Sequence, residues 1–254
     1  MKELKKGVAM GKWQEVTYLG RKDWDKGLAT FDFDLAETGF LAGQFIQVGI
    51  ENDEGKMIPR AYSIGSAPNS PLELYIVLVD EGKLTPKLFN LKPGDKVSMA
   101  KKFAGHFHLD RVGPAKNLWL AGTGTGLAPY ISMVREGKCW DMYEKVIIYH
   151  GVRNAAQLAY ADELLALEKE RPDQFFYLPT VSGENVENTF HGRITTTWEE
   201  AIAKVGGPIE PEGTRFMLCG NRAMINDMVH QLGDLGLHRA LRTTSGQIHS
   251  EVYF

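Results

Sequence analysis

The chain has 254 residues, 43% hydrophobic and 24% charged, with a formal net charge of −3. That mixture buries a real core and excludes disorder over the whole length, and the mild acidity excludes a general affinity for nucleic acid. Two cysteines, Cys139 and Cys219, are too few for an iron–sulfur cluster held by four thiolates, and they define no disulfide framework.

The N-terminal Met1-Lys2-Glu3-Leu4-Lys5-Lys6 is basic, but no long apolar stretch follows it, so a cytoplasmic location is expected rather than export. No apolar run approaches the roughly 20 residues that span a bilayer. From Trp13 to about Leu109, short β-type runs alternate with turn residues. Thr30-Phe31-Asp32-Phe33-Asp34-Leu35 alternates at period two, as a half-buried strand does. Further strands are predicted over 45–50 and 72–79, with Asn52-Asp53-Glu54-Gly55 and Lys92-Pro93-Gly94-Asp95 as turns. A small antiparallel β-barrel is the economical arrangement, because closure removes exposed strand edges. His106 and His108 lie two apart on a predicted strand, with both rings on one side. A metal site needs more ligands than accompany them, so none is expected.

After Val112-Gly113-Pro114 the pattern changes. Short apolar strands over 118–121, 146–149, 175–178 and 216–219 alternate with predicted helices near 127–135, 155–170, 195–204 and 222–235. Such alternation implies an α/β domain with a parallel sheet covered on both faces. The chain therefore divides near residues 110–114, into units of 1–111 and 112–254.

Leu120-Ala121-Gly122-Thr123-Gly124-Thr125-Gly126-Leu127-Ala128-Pro129 follows a strand and opens a helix. Glycines there let the backbone approach a phosphate, which unpaired amides and the helix dipole favour. The spacing is Gly-x-Gly-x-Gly, and taken alone it fits a phosphate loop and a structural turn equally. The next strand runs into His150-Gly151-Val152-Arg153, where an NAD-binding unit often carries an acid. Arg193 follows a further strand. Two guanidinium groups at successive strand ends lean toward the 2′-phosphate of NADP, although either one alone reads as a solvated surface charge. In the first half, Arg60-Ala61-Tyr62-Ser63 places a cation, an aromatic hydroxyl and a small hydroxyl on one extended segment. That set suits a large dinucleotide cofactor, and half of it equally suits barrel packing.

Taken in order, Gly43-Gln44-Phe45, Arg60-Ala61-Tyr62-Ser63, Gly82-Lys83-Leu84-Thr85, the glycine turn, Cys219-Gly220-Asn221 and Glu251-Val252-Tyr253-Phe254 resemble the ferredoxin–NADP reductase family. The bacterial ferredoxin/flavodoxin reductases are most similar. The resemblance implies an FAD-binding barrel, an NADP-binding α/β domain, and electron transfer between NADPH and a ferredoxin or flavodoxin. Arg60, Ala61, Tyr62 and Ser63 would hold the flavin, with Ile76 lining its pocket and the amides of Lys83, Leu84 and Thr85 cradling its pyrophosphate. Thr123, Gly124 and Thr125 would sit where the two nucleotides meet, and Arg153, Ser182 and Arg193 would bind NADP phosphates. Cys219 would stand beside the nicotinamide, and Glu251 would complete a polar relay with Ser63. Tyr253 would stack on the flavin, and the terminal Phe254 would pack against a folded FAD. One departure is Gly183, where bacterial relatives often carry an arginine for the 2′-phosphate. The chain reads as a monomer that binds neither membrane nor nucleic acid. Two other functions fit the same residues: the flavin module of an oxygenase system, and a non-catalytic flavin redox sensor.

Between residues 81 and 111, seven Lys/Arg stand against three Asp/Glu. That local excess can steer an acidic carrier protein, and it fits ordinary solvated turns as well.

Overall fold

The computed structural model describes residues 11–35, 39–51, 54, 57–241 and 243–253. Strands β1 (Trp13–Asp25), β2 (Leu28–Asp34), β3 (Phe45–Glu51), β4 (Met57–Ser63), β5 (Leu72–Val77) and β6 (Lys96–Ala100) form an antiparallel sheet in the order β4-β3-β6-β1-β2-β5. A bridge between Ile64 and Leu74, with the Gly65 amide donating to the Glu73 carbonyl at 2.8 Å, joins the two edge strands and closes a barrel. Among the described residues β4 and β5 pair only there, so the rest of that seam stays open.

Period two in β2 sends Ala29, Phe31 and Phe33 into the barrel, where they pack with Ile46, Leu74 and Met99. Its other face gives Leu28 and Thr30 to the second domain. Helix α1 (Thr85–Phe89) packs Leu88 onto the same barrel core.

A short helix, α2 (Leu109–Val112), leads toward a second sheet. Strands β7 (Asn117–Thr123), β8 (Lys145–Val152), β9 (Phe175–Val181), β10 (Phe190–His191), β11 (Thr214–Gly220) and β12 (Ile248–Val252) run parallel in the order β10-β9-β8-β7-β11-β12. Helices α3 (Ala128–Glu136), α4 (Cys139–Met142), α5 (Ala161–Glu170), α6 (Ile194–Val205) and α7 (Arg222–Asp234) cover it. Leu118 and Leu120 face Tyr130, Met133 and Leu164 from α3 and α5. Their neighbours Trp119 and Ala121 face Ile194, Ile225 and Met228 from α6 and α7. Strand order reverses between β7 and β11, and ligands of open α/β sheets bind at the carboxyl ends beside such a switch point.

Three local expectations are corrected. The helix predicted over 155–170 is broken: a 3₁₀ turn at Ala155–Gln157 is followed by Tyr160 in the left-handed region, φ 61°, and α5 starts only at Ala161. The buried Tyr160 ring lies 4.9 Å from Trp24 and 5.5 Å from Tyr75, so packing against the barrel overrides helical continuity. The strand predicted to 79 ends at Val77, because the Thr85 hydroxyl takes the Val79 amide at 2.9 Å. His106 and His108 lie on no strand. His106 is exposed, whereas His108 is buried ahead of α2, so period two does not apply to them.

Candidate active site between barrel and sheet

Strand β7 ends at Thr123, and Gly124–Leu127 makes one 3₁₀ turn before α3 begins with Pro129 in its first turn. No side chain fits at Gly126, where an added Cβ would lie 2.4 Å from the Cys219 carbonyl oxygen. That close approach opens the turn to the C-terminal tail. The Tyr253 hydroxyl donates to the Thr123 carbonyl at 2.5 Å and lies 3.1 Å from Thr123 Oγ1. Burial holds the Tyr253 phenol above its usual range, with the Thr123 hydrogen bond opposing.

Beneath the turn sits His150, fully buried, with Nε2 3.3 Å from the Gly124 carbonyl. Burial lowers its pKa to about 4, so the ring is neutral at ordinary pH. As the neutral tautomer with Nε2–H donating to Gly124, it leaves Nδ1 without a partner.

The barrel contributes β4. Arg60 and Ala61 are exposed beside the open seam, and among the described residues Arg60 Nη1 donates to its neighbour, the Pro59 carbonyl, at 2.9 Å. Tyr62 and Ser63 are half-buried, and burial pushes the Tyr62 phenol up to about 12. The amides of Lys83, Leu84 and Thr85 donate to no carbonyl among the described residues. An exposed guanidinium, an aromatic hydroxyl and three amides that are open among the described residues are the donor set that a flavin dinucleotide needs.

The Ser63 hydroxyl donates to Glu251 Oε1 at 3.2 Å across the domain junction. Glu251 lies in one register line with Cys219 and Gly122 across β12, β11 and β7. Burial raises the Glu251 carboxyl, with the Ser63 bond opposing, and it raises the Cys219 thiol well above its usual range. Cys219 is therefore a protonated thiol, only 2% exposed.

At the carboxyl ends of the strands a cavity of about 470 Å³ is lined by Thr123, Gly124, Arg153, Ser182, Arg193 and Tyr253. The start of α7 borders it through Asn221, whose side chain caps that helix at the Met224 amide. Gly183 donates its amide to the Arg153 carbonyl at 2.7 Å, and an added Cβ would lie 2.6 Å from that oxygen. A wider groove of about 830 Å³, lined by Asp32, Ser66, Glu73 and Arg135 among others, contains none of the candidate site residues expected from the sequence.

The fold thus gathers Ser63, Thr123, Gly124, Cys219, Glu251 and Tyr253 at the junction, with Arg153, Ser182 and Arg193 on the cavity beyond. Ile76 departs from expectation: it points inward from β5 and is 1% exposed in the barrel core, so its side chain lines no open pocket. Thr125 stands on the turn but does not line the cavity. Phe254 lies outside the described residues. Sequence reasoning missed the role of His150, whose signal was a polar ring ending the apolar run Val146-Ile147-Ile148-Tyr149.

The flavodoxin/ferredoxin–NADP reductase of Escherichia coli (strain K12) is 37% identical over 209 residues, covering 81% of this chain and 84% of that protein. This chain belongs to that family. The reductase of the same name from Buchnera aphidicola subsp. Baizongia pistaciae is 33% identical over 249 residues, covering 96% of this chain and all of that one (100%). The family described as oxidoreductase FAD-binding domain matches residues 21–108, and the oxidoreductase NAD-binding domain matches residues 120–230. Among solved structures, the Neisseria gonorrhoeae ferredoxin NADP+ reductase with bound FAD and NADP superposes with a TM-score of 0.89 at 28% identity, covering 96% of this chain and 100% of that one. This reductase therefore has FAD- and NAD-binding oxidoreductase domains, and no described helix is long and apolar enough to cross a membrane.

Proposed function

We propose that this chain moves electrons from NADPH, through FAD, to a one-electron carrier protein such as ferredoxin or flavodoxin. The observation that carries the reading is the meeting of β4 and the glycine turn, with Ser63 bonded to Glu251 and Tyr253 bonded to Thr123. Bound FAD supplies hydride acceptance followed by one-electron release, and the protein supplies alignment and electrostatics. In this reading residues 1–111 form the flavin half, and residues 112–254 form the nucleotide half with its flavin-stacking tail.

Arg60 pairs with the flavin pyrophosphate together with the amides of Lys83, Leu84 and Thr85, while Ala61 leaves the approach clear and Tyr62 lies along the ring system. Ser63 presents its hydroxyl to the reacting edge, and Glu251, held toward its protonated form by burial, receives or returns a proton at Ser63 Oγ. Tyr253 occupies the face over the glycine turn and must move aside for nicotinamide. Cys219 closes the floor as a neutral thiol. Arg153, Ser182 and Arg193 hold the NADP phosphates, and two guanidinium groups at this cavity favour NADPH over NADH. Phe254 would extend the tail against the flavin.

The basic excess within 81–111, whose Lys and Arg side chains are all exposed, suits an acidic carrier. Both cysteines are unpaired, which suits a reducing cytoplasm, and a monomer is the state to test by sedimentation. The deciding experiment is a visible spectrum of the purified protein, followed by anaerobic titration with NADPH and NADH in parallel. A flavin spectrum bleached preferentially by NADPH is expected. A colourless protein that stays apo with added FAD overturns the reading.

A further inference from the structure

Helix α3 has the glycine turn at one end and, one face along, a grip on the barrel. The fully buried Ser132 donates its hydroxyl to the Ser66 carbonyl at 2.7 Å. Arg135, three residues on and so on the same face, donates from Nη1 to the Gly65 carbonyl at 3.1 Å and to Glu73 Oε1 at 3.0 Å. Its remaining nitrogens, Nε and Nη2, hold Glu163 of α5 at 2.7 and 2.8 Å. Gly65 and Ser66 directly follow Ser63 and Ile64 in the chain. A single nine-residue helix therefore connects the turn at Thr123–Gly124 to the backbone just beyond Ser63.

The same grip is reinforced by Tyr160, the residue ahead of α5. The Tyr160 hydroxyl donates to Glu73 Oε1 at 2.8 Å, lies 2.7 Å from Thr30 Oγ1, and Trp24 Nε1 in turn donates to Thr30 Oγ1 at 2.8 Å. Tyr160 reaches this place from a left-handed backbone, φ 61°, a conformation that a bulky residue holds only when its surroundings demand it. Apart from the Arg135–Glu163 fork and the Trp24–Thr30 bond, these contacts cross between the two sheets, and none of the crossing ones completes the secondary structure of either. The barrel also shares apolar side chains with the second domain, Leu28, Ala42, Tyr75 and Phe107 among them, but apolar contact is non-directional, whereas these hydrogen bonds fix one register. Transfer between two bound groups requires reacting atoms about 3–3.5 Å apart.

We propose that Ser132 and Arg135 are positioning residues for hydride transfer: by gripping Gly65, Ser66 and Glu73 they fix the separation between Ser63 on β4 and the Thr123–Gly124 turn. The inference rests on the two-cofactor reading above. Neither residue touches the cavity that carries Arg153, Ser182 and Arg193, so they set distance without adding to nucleotide affinity.

The test uses FAD-loaded protein and the variants Ser132→Ala, Arg135→Met and Arg135→Lys. Anaerobic stopped-flow mixing with NADPH separates the limiting rate of flavin reduction from the apparent Kd. The long-wavelength charge-transfer absorbance formed between NADP+ and reduced flavin reports the contact spectroscopically. The limiting rate is expected to fall about 10-fold in Ser132→Ala and about 100-fold in Arg135→Met, with the Kd held within about 2-fold. The charge-transfer band weakens in step. Arg135→Lys recovers part of both signals, because an ammonium reaches Glu73 but cannot fork to Gly65 and Glu163 together.

FAD-loaded variants that match the wild type in rate and band overturn the inference, as does a rate loss fully accounted for by a weaker Kd. Should Arg135→Met fail to fold, Ser132→Ala decides the matter, since it removes one hydroxyl and leaves the ion pairs in place. A wild type that NADPH does not reduce overturns the functional reading and this inference with it. A wild type reduced normally beside indifferent variants overturns the inference alone.

Discussion

Protonation of His150 provides a measurable link between the floor of the glycine turn and stability. The ring is fully buried and holds the Gly124 carbonyl through Nε2, and burial lowers its pKa from 6.5 to about 4. Below pH 6.5 the unfolded chain gains a proton that the folded chain refuses. Stability from this group is therefore intact above pH 6.5 and is lost as pH falls toward 4. The complete loss is worth about 3 kcal/mol, of which about 2 kcal/mol falls between pH 7 and pH 5. His150→Gln removes the titration while keeping a side-chain N–H that can donate to Gly124. Urea unfolding of both proteins at pH 7 and pH 5, with the same excess of FAD, isolates the effect. Glu251, whose pKa is raised, and His108 and His249, whose pKa values are lowered, also contribute to the pH dependence, but they are common to both proteins and cancel in the difference. The wild type should lose about 2 kcal/mol more than the variant. Parallel losses, agreeing within about 0.5 kcal/mol, would refute the assignment of a neutral, proton-excluding ring.

Tyr253→Ser removes the ring packed over the glycine turn and should tighten NADP+ binding by up to about 10-fold while eroding discrimination against NADH, as read by parallel difference titrations. Unchanged affinities for both nucleotides would count against a gating tail. Gly183→Arg, which adds a guanidinium beside Arg153, should give no gain in NADPH preference and should weaken it. The new Cβ would meet the Arg153 carbonyl at 2.6 Å and displace the loop that presents Arg153. A higher ratio of NADPH to NADH affinity in that variant would show that the loop yields. Raising salt from about 0.05 to 0.5 M should slow reduction of an acidic carrier protein several-fold while leaving NADPH-driven reduction of an uncharged dye nearly constant. Equal sensitivity of both reactions would remove the basic segment 81–111 from docking.

The barrel was legible where period two met apolar side chains, as in β2, and the parallel sheet where apolar runs were spaced by helices. Strand β4 gave no such signal, because Pro59, Arg60 and Ala61 are all exposed along the open seam. Strand β1 was hidden for another reason: it runs through Arg21-Lys22-Asp23, pairs with β6 and β2 in turn, and shifts register between Tyr18 and Gly20. The break at Tyr160 could not be seen locally. Ala161 to Glu170 has strong helix formers, and what stops the helix from starting earlier is a ring seated among Trp24, Tyr75 and Thr30, more than 80 positions away in the chain at the nearest.

The site divides along the same line. Glycines, arginines and the turn were readable because close backbone approach and phosphate pairing restrict residue type at short range. The Ser63–Glu251 bond spans 188 positions, and no periodicity announces it; family resemblance suggested the pair, and sheet register supplies the physical reason. Strand β12 pairs with β11 from Ile248 to Val252, which sets Glu251 beside Cys219. The ladder then hands on to Tyr253, whose amide donates to the Gly220 carbonyl at 3.1 Å. That single bond fixes where the ring leaves the sheet, directly over the turn that Gly126 keeps bare. A chain ending before Ile248 would lose the carboxylate, the ring and an edge strand together. The tail is thus positioned by the same ladder that builds the nucleotide-binding sheet, and its placement over the turn is a property of the fold.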